Sequence, residues 1–280
     1  MPAKPLHFHR REVFLKKART EPDFTSKTVL VADPWEYVDL WLKRAKKEKA
    51  RFYWSQSRAF FTAARQLPPT SSPLAAYYCF LNAAKALLQV KNVPHADSHG
   101  VAGATTPGKK PALTNEIVQF KNAGVLTELC RLFGETVNQD KYTLKDVFYN
   151  LPFIHRAYTL TYASEPELFI RIVEPRFVRK SKSDEAWFCA RVSPKYATSH
   201  TEKKLPAGFE RDRGVKDHFC VRRKKRFSWQ HGSAHEAANL QALNAYHQGI
   251  RRHVVYVYGP SKLWYLKRST DVLPGIGAKA

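Results

Sequence analysis

The pattern of apolar and polar positions is most informative over residues 51–89, where two apolar helical segments each carry a regular line of polar groups. In the first segment, spacings of three and four residues place guanidinium and aromatic groups alternately along one helix face. This line consists of Arg51, Trp54, Arg58, Phe61 and Arg65. The opposite face is mostly apolar and includes several small side chains, which predicts close contact with another helix.

The second segment follows Pro68 and Pro69, which end the first. Ser72 is its predicted N-cap, and Pro73 suits the first helical position because proline lacks the N–H that is unpaired there. Polar side chains again recur at helical spacing, at Tyr78, Asn82, Lys85 and Gln89. The two segments predict a helical hairpin with a groove between two polar lines. The alternative is a hydrogen-bonded seam inside the core.

Local signals predict further helices on both sides of the hairpin. Asp33 and Pro34 start a helical stretch that runs to Gln66, either as one helix or as two joined near residues 46–49. Residues 92–111 form a predicted loop, because Gly, Pro, Ser and Thr recur there without periodicity. Short helices are predicted over 114–123, over 125–133 and from Thr143 onward, so the region is expected to be all helical through Tyr162.

Beyond about residue 165 the period of the apolar positions falls towards two, and β-branched and aromatic residues become more frequent. Both changes predict strands. The predicted elements are strands at 168–173, 187–192 and 219–222, a helix at 235–248, and a hairpin of 253–258 with 263–267 that turns at Gly259 and Pro260. The fold class is therefore α+β, with an N-terminal mainly helical bundle followed by a smaller part that contains an antiparallel sheet. The predicted domains are a basic N-terminal arm over 1–32 with one strand near Thr28–Val31, a helical domain over 33–163, and the smaller part over 164–280.

The charge balance points to a class of partner. Of 280 residues, 47 are Lys or Arg and 24 are Asp or Glu, so the formal net charge is +23, while a hydrophobic content of 44% supports a folded core. This excess predicts nucleic acid as the partner, with an acidic protein as the other class left open. In the segment VRRKKRF, the predicted phosphate contacts are Arg222, Arg223, Lys224, Lys225 and Arg226. A solvated charged face is the alternative for this segment.

Other signals narrow the compartment and the chemistry. No apolar run approaches the ~20 residues that cross a bilayer, and the N-terminal residues contain no apolar leader core, so we expect a cytoplasmic protein without a membrane partner. Phosphate-binding glycine loops, dinucleotide motifs and the common hydrolase and zinc-protease motifs are absent, and no cofactor is predicted. The cysteines are far apart in sequence and predict neither disulfides nor a zinc ribbon: Cys79, Cys130, Cys189 and Cys220.

Several long strings resemble the YaaC-like family of bacterial proteins, to which no activity is assigned. They are FYWSQSRAFFTAA at 52–64, PLAAYYCFLNAAKALL at 73–88, HG at 99–100, GVLTELCRLFG at 124–134 and DVFYNLPFIHRAY at 146–158. The resemblance covers about 35–267. One departure is expected: members of that family continue after the last hairpin into a further helical segment, whereas this chain continues with STDVLPGIGAKA to Ala280. The helical half is also similar to the HEPN superfamily, which includes RNases of toxin–antitoxin and phage-defence systems. That similarity implies an RNA or nucleotide ligand and a role in phage defence or the stress response.

Three residues are candidate catalytic groups. Arg226 and His231 have four residues between them, as the Arg and His of HEPN-type RNases do, although this pair lies outside the helical half. In such a pair the arginine stabilises phosphate charge and the histidine works as acid or base. His99 lies where the loop after the hairpin would close over the groove; its alternative role is to form a turn with Gly100 and cap the bundle.

Two histidine pairs have the four-residue spacing of a helical zinc site. They are His95 with His99, and His231 with His235. Neither has a third ligand close in sequence, so no metal site is predicted.

Three functions are consistent with these patterns. In the leading one the protein binds RNA or single strands: Arg51, Arg58 and Arg65 hold phosphates, Trp54 and Phe61 stack on bases, and Asn82 with Lys85 completes the site. The second is a HEPN-like RNase or nucleotide-processing enzyme. The third is a structural subunit that docks on an acidic protein, with polar lines that only fix helix register. An open groove would favour the first two functions, and a closed, fully paired seam would favour the third.

Overall fold

The computed structural model describes residues 3–19, 22–25, 33–137, 141–215, 218–258 and 263–268. Two compact units share the chain. Lys27–Asp146 form one, here called the hairpin unit, and Met1–Ser26 with Val147–Ala280 form the other, the sheet unit. The sequence-based division into 1–32, 33–163 and 164–280 places its boundaries elsewhere.

The hairpin unit begins with three helices, α1 (Pro34–Arg44), α2 (Glu48–Gln66) and α3 (Ser72–Val90). Asp33 caps α1 as predicted, because its Oδ1 accepts a 2.8 Å hydrogen bond from the Trp35 N–H. The chain breaks at Lys46, which has a φ of 54°, so the two-helix alternative is confirmed. α2 and α3 form the predicted helical hairpin. The N-cap of α3 is Ser71 rather than Ser72, and its side chain makes no capping hydrogen bond.

An antiparallel three-stranded sheet completes the hairpin unit. It contains β4 (Val101–Thr105), β5 (Glu116–Phe120) and β6 (Lys141–Thr143) in that spatial order. The predicted helix over 114–123 is wrong, since β5 pairs with both neighbours, and the region is therefore not all helical. The loop prediction over 92–111 misses β4. Two helices are confirmed, α4 (Val125–Leu132) and α5 (Leu144–Tyr149), the latter started by a 2.6 Å hydrogen bond from Thr143 Oγ1 to Asp146 Oδ2.

The sheet unit is built on an antiparallel sheet in the order β12-β13-β7-β8-β10-β9, with β1 paired to β7 and β11 to β8. Its strands are β1 (Ala3–Pro5), β7 (Phe169–Lys180), β8 (Glu185–Val192), β9 (Phe209–Arg211), β10 (Cys220–Arg223), β11 (Phe227–Ser228), β12 (Val254–Val257) and β13 (Leu263–Lys267). Its helices are α6 (His155–Thr161), α7 (Ser199–Lys203) and α8 (Glu236–Arg251), and a small hairpin joins β2 (His7–Phe8) to β3 (Arg11–Glu12).

The sequence predicted the main elements of this unit. Strands β7, β8 and β10, helix α8 and the β12–β13 hairpin confirm the predicted elements after residue 165. The predicted turn at Gly259 and Pro260 lies outside the described residues, as does the predicted strand near Thr28–Val31. Within the described ranges no helix is both long enough and apolar enough to cross a bilayer.

The first residues of the chain are part of the sheet unit's core instead of a separate arm. Leu6 is fully buried, and its N–H donates to the Phe177 carbonyl at 2.9 Å, while the Phe177 N–H donates to Val13 at 2.9 Å. The α+β class is confirmed. The helix-first order is not confirmed, because β1, β2 and β3 precede the first helix.

Helix α8 belongs to the same hydrophobic core as the sheet. Phe177, Phe188 and Leu243 are all fully buried there. The Tyr246 hydroxyl accepts a 3.1 Å bond from the Phe188 N–H and donates at 2.7 Å to the Lys225 carbonyl. This buried hydroxyl therefore fixes α8 to both β8 and the segment after β10.

Candidate functional site

The polar line of α2 lies against α1 rather than against α3. Arg51 donates to both oxygens of Asp39, with Nε–Oδ1 at 2.8 Å and Nη2–Oδ2 at 3.2 Å. Nη2 of Arg58 donates to Oδ2 of Asp33 at 2.8 Å. Two of the three arginines in the predicted site are therefore paired within the chain, and a phosphate would have to compete with these carboxylates.

The aromatic members of the line also have partners on α1. The rings of Trp54 and Phe61 pack against Trp35, with centroids 4.5 and 5.2 Å away, and Trp54 Nε1 donates to the Trp35 carbonyl at 2.9 Å. Arg65 lies 5.8 Å from the centroid of Phe61. Phe61 is 39% exposed, so the Phe61–Arg65 pair remains open to solvent.

The polar line of α3 contacts a different face of α2. Tyr78 stacks on Phe60 with centroids 5.3 Å apart, and the Lys85 ammonium lies 5.4 Å from the ring centroid of Tyr53. Asn82 is buried and donates to the Tyr78 carbonyl one turn earlier at 2.8 Å. The two polar lines therefore do not face each other, and the predicted groove between them is not formed. The role of these residues in nucleic-acid binding stays a prediction.

The loop that contains His99 caps helix α4. The carbonyls of Ser98 and His99 accept hydrogen bonds from the Val125 and Leu126 N–H groups at 2.9 and 3.1 Å. Gly100 follows with a φ of 83°, which favours glycine. This arrangement is the turn and cap that the sequence offered as the alternative role of His99. It assigns no chemical role to the exposed His99 ring.

In the VRRKKRF segment, two arginines are held over one aromatic ring by carboxylates. Arg222 donates from Nε to Glu210 at 2.8 Å, and Arg226 donates to Glu185. Their guanidinium groups lie 5.9 and 5.3 Å from the ring centroid of Trp187. Cation–π contact and ion pairing together fix both side chains.

The remaining three cations of the segment differ in exposure. Arg223 is directed inward: its Nη1 donates to the Tyr246 carbonyl at 3.1 Å, and burial lowers the pKa of this guanidinium. Its guanidinium also fills the space beside Gly249, where a Cβ would lie 2.3 Å from Nη1. Lys224 and Lys225 are exposed, and neither ammonium group forms an ion pair with any described carboxylate. These two lysines are the charges that the segment presents to solvent without a carboxylate partner in the described part of the chain, whereas the exposed Arg226 is paired with Glu185.

The Arg226–His231 pair is not assembled as an RNase site. His231 lies beside Arg179, whose guanidinium nitrogens are 3.0 and 2.7 Å from the two ring nitrogens, whereas Arg226 binds Glu185. The intervening residues include β11, a strand rather than a helix. Among the described residues, no group of three or more His, Cys, Asp or Glu is placed to hold a metal ion.

A polar cleft in the sheet unit brings together charged groups that sequence analysis missed. Its volume is about 390 Å³, and it is bordered by α6, β7, β13 and the 3-10 turn Pro194–Tyr196 that follows β8. The lining side chains that carry its chemistry are His155, Arg156, Glu167, Arg171, Lys195 and Tyr196.

Glu167 is the centre of the cleft's hydrogen-bond network. Oε1 accepts from Lys195 Nζ at 2.6 Å, and Oε2 accepts from the Tyr196 hydroxyl at 2.5 Å. Burial raises the pKa of Glu167, but these two hydrogen bonds and the Lys195 charge outweigh it, so the pKa lies below its ordinary value. Burial, followed by the bond to Glu167, raises the pKa of Tyr196. At neutral pH the carboxylate is therefore ionised and the phenol is neutral.

His155 closes the inner side of the cleft. It is 3% exposed, and its ring packs against Phe169 and Tyr265 with centroids 5.3 and 5.6 Å away. Nε2 lies 3.6 Å from Glu167 Oε2, beyond hydrogen-bond distance, and has no hydrogen-bond partner. Burial lowers the pKa of His155 although Glu167 opposes the shift, so the imidazole is neutral at neutral pH.

The cleft contains two arginines that are available to a ligand, Arg156 and Arg171. Both are exposed, and neither forms an ion pair with a carboxylate in the part of the chain that the structure describes. The family-like string at 146–158 includes His155 and Arg156, which was the available signal. The other cleft residues gave no signal in the sequence, because a site assembled from residues between 155 and 265 forms no motif of fixed local spacing.

The family profile of the YaaC-like proteins matches residues 13–276 of the chain. The chain belongs to this family. The match extends through most of both units, and it confirms the resemblance that the strings at 52–158 predicted. No curated protein and no solved structure matches this family member. The similarity to the HEPN superfamily stays a prediction.

Proposed function

We propose that this YaaC-like protein binds nucleic acid and prefers RNA or other single strands. The observation that carries the proposal is the charge excess. If each of the 24 acidic residues neutralised one cation, 47 − 24 = 23 Lys and Arg would still remain. Such an excess attracts a polyanion, and binding is driven by release of the counter-ions that the polyanion carries.

The exposed Lys224 and Lys225 are the proposed phosphate contacts of the sheet unit. The neighbouring Arg222 and Arg226 are fixed over Trp187 by their carboxylates, so the segment is an ordered support for the two lysines. In the hairpin unit, Phe61 with Arg65 supplies an open ring and a cation, the pair of groups that stacks on an unpaired base and holds its phosphate. Stacking of this kind favours single strands over a duplex.

Charge reversal at the exposed lysines tests the interface. Fluorescence anisotropy with a labelled single-stranded RNA should show binding by the wild type, weakened roughly tenfold or more by Lys224→Glu with Lys225→Glu, because two phosphate contacts become repulsive. The matched control is Lys109→Glu with Lys110→Glu, which makes the same change in net charge at two exposed lysines between β4 and β5. The control should weaken binding by less than about threefold, through the long-range field alone.

Each alternative predicts a different result. Equal losses in the two double variants would reject the Lys224–Lys225 interface, and absence of binding by the wild type would reject the function. An acidic protein partner is tested with polyglutamate as competitor at matched charge concentration. If polyglutamate displaces the labelled RNA as well as unlabelled RNA does, docking on an acidic protein is favoured. The surface would then recognise negative charge alone and not the bases.

A further inference from the structure

The cleft of the sheet unit has more cationic than anionic groups. Arg156, Arg171 and Lys195 line it together with one carboxylate, Glu167, while burial keeps His155 neutral. The balance is an excess of two positive charges. A phosphate monoester carries about −1.5 to −2 charges at neutral pH, so it matches this excess, whereas a phosphodiester carries about −1.

The internal network leaves both arginines available to a ligand. Both oxygens of Glu167 already accept hydrogen bonds, from Lys195 at 2.6 Å and from Tyr196 at 2.5 Å, and the carboxylate forms no ion pair with Arg156 or Arg171. Four of the arginines that the sequence singled out are instead bound to carboxylates: Arg51, Arg58, Arg222 and Arg226. Unpaired arginines in a concave site have a fork of donors that fits phosphate oxygens in pairs.

Both arginines line the same cleft as Tyr265. Burial raises the pKa of Tyr265, and the charges of Arg156 and Arg171 both oppose that shift. Thr159 and Ser193 add hydroxyl groups to the same lining. An oxyanion bound in the cleft would therefore meet both cationic and hydroxyl donors.

The size and rim of the cleft suit more than a bare phosphate ion. A volume of about 390 Å³ falls in the range of ~300–1,000 Å³ of pockets for small molecules. Leu160, which is 83% exposed, and Leu263 supply an apolar rim. A sugar and base attached to the phosphate would cover this apolar surface.

We propose that the cleft binds a phosphomonoester of nucleotide size through Arg156, Arg171 and Lys195. This inference rests on the proposed nucleic-acid function and names the chemistry that the sheet unit recognises, a terminal phosphate on a nucleoside. A free nucleotide and the 5′-phosphate end of a strand share this chemistry.

Calorimetric titration of the full chain with AMP, adenosine and inorganic phosphate tests the proposal. AMP should bind, and adenosine should bind at least tenfold more weakly because charged hydrogen bonds to the phosphate are lost. Arg156→Ala with Arg171→Ala should weaken AMP binding at least tenfold, whereas Lys203→Ala with Arg213→Ala, the same charge change at two exposed residues outside the cleft, should leave it unchanged. Both arginines are exposed, so circular dichroism should show the same fold in all variants.

Three outcomes would overturn the site. These are equal affinity for adenosine and AMP, equal affinity for inorganic phosphate and AMP, and unchanged AMP binding in the Arg156→Ala and Arg171→Ala variant. A short RNA with a 5′-phosphate, compared with its 5′-hydroxyl form, separates the two ligand sources. A preference for the phosphorylated end that disappears in the arginine variant identifies strand ends. Equal binding of the two RNAs alongside AMP binding identifies free nucleotides.

The failure of this site is distinguishable from failure of the proposed function. AMP has too little charge to report on the Lys224–Lys225 surface, so Lys224→Glu with Lys225→Glu should leave AMP binding unchanged. RNA binding without AMP binding would reject the cleft as a phosphate site and would support the proposed nucleic-acid function. AMP binding without RNA binding would reject the proposed nucleic-acid function and would identify a free nucleotide as the ligand of the cleft.

Discussion

Individual carboxylates determine which arginines of this protein are available to a ligand. Asp33 caps α1 and also binds Arg58, 25 residues later in the chain. The cap was predictable because it depends on neighbours within one turn. The pairing was not, since nothing in the spacing of Arg51, Arg58 and Arg65 indicates that α1 folds back onto their face. Tertiary pairing of this kind places Arg51 and Arg58 in a seam with Asp39 and Asp33, whereas Arg65 stays exposed beside Phe61.

At the residue scale, the close approach of Gly100 and Gly124 gives a stability prediction. Gly124 has a φ of 132°, and a Cβ there would lie 2.3 Å from the Gly100 Cα. Gly124→Ala should lower the free energy of unfolding by about 2–4 kcal/mol, from steric overlap with backbone plus the cost of a positive φ. Urea unfolding measures the change.

Gly108→Ala is the control for that experiment. Gly108 has a φ of 72° and nothing within 4 Å of an added Cβ, so this variant should lose only the conformational part, about 1–2 kcal/mol. Equal losses at the two glycines would show that the Gly100–Gly124 approach is not tight.

Also at the residue scale, His247 predicts a dependence of stability on pH. It is fully buried, and burial first, then the charge of Arg251, lowers its pKa from 6.5 to about 4. The unfolded chain therefore takes up a proton below pH 6.5 that the folded chain does not bind. Stability should fall as the pH drops from 6.5 to 4, by about 3 kcal/mol from this group. The shifts of His155 and His253 act in the same direction.

The variant His247→Gln isolates this contribution. Between pH 6.5 and 4 its unfolding free energy, measured by urea titration, should change less than that of the wild type. His200→Gln, at an exposed position, should follow the wild type. The assignment is contradicted if His247→Gln keeps the full pH dependence of the wild type.

At the scale of elements, long periodic segments were predicted and short remote pairings were not. α2, α3 and α8 follow from the helical spacing of their apolar and polar residues, and β7 and β8 follow from their β-branched and aromatic content. β4 and β5 have five residues each and pair with each other, and β5 also pairs with β6. A local window of sequence does not contain this information. The helix predicted over 114–123 failed for this reason.

The break between α1 and α2 gives a prediction at the element scale. Lys46 has a φ of 54°, where a side chain costs energy and glycine does not. Lys46→Gly should therefore raise the free energy of unfolding by about 0.5–1 kcal/mol. Lys43→Gly, an exposed position inside α1, should lower it by a similar amount because glycine disfavours the helix. Thermal unfolding that moves in the same direction in both variants would contradict the αL assignment at Lys46.

At the scale of the whole molecule, the sheet unit closes on the first residues of the chain. β1 pairs with β7, where Pro5 lies opposite Val178, and His247 contacts the Lys16 carbonyl at 3.2 Å. The sequence predicted the α+β class but not this contact, because the residues involved are more than 170 positions apart. The cleft was unpredictable for the same reason, since its cations come from α6, β7 and the turn after β8.

The net charge of the whole molecule could be read directly from the sequence, and the ion pairs of the structure do not remove it. Even complete pairing of the acidic residues leaves 23 cations. Pairing instead determines where these cations are: Lys224 and Lys225 on one surface, Arg156 and Arg171 in the cleft. Charge at these positions, together with the exposed Arg65 of the hairpin unit, is therefore the basis of the proposed binding.

The most direct test of nucleic-acid binding is the salt dependence of the affinity for single-stranded RNA. The dissociation constant is measured by anisotropy from about 50 to about 200 mM salt, with wild type and the Lys224→Glu, Lys225→Glu variant side by side. For single strands the slope of log K against log salt is about −0.7 per phosphate contacted. We expect a steep fall in wild-type affinity and a slope that is shallower by about 1.4 in the variant. Absent binding, or an affinity that does not change with salt, would contradict it.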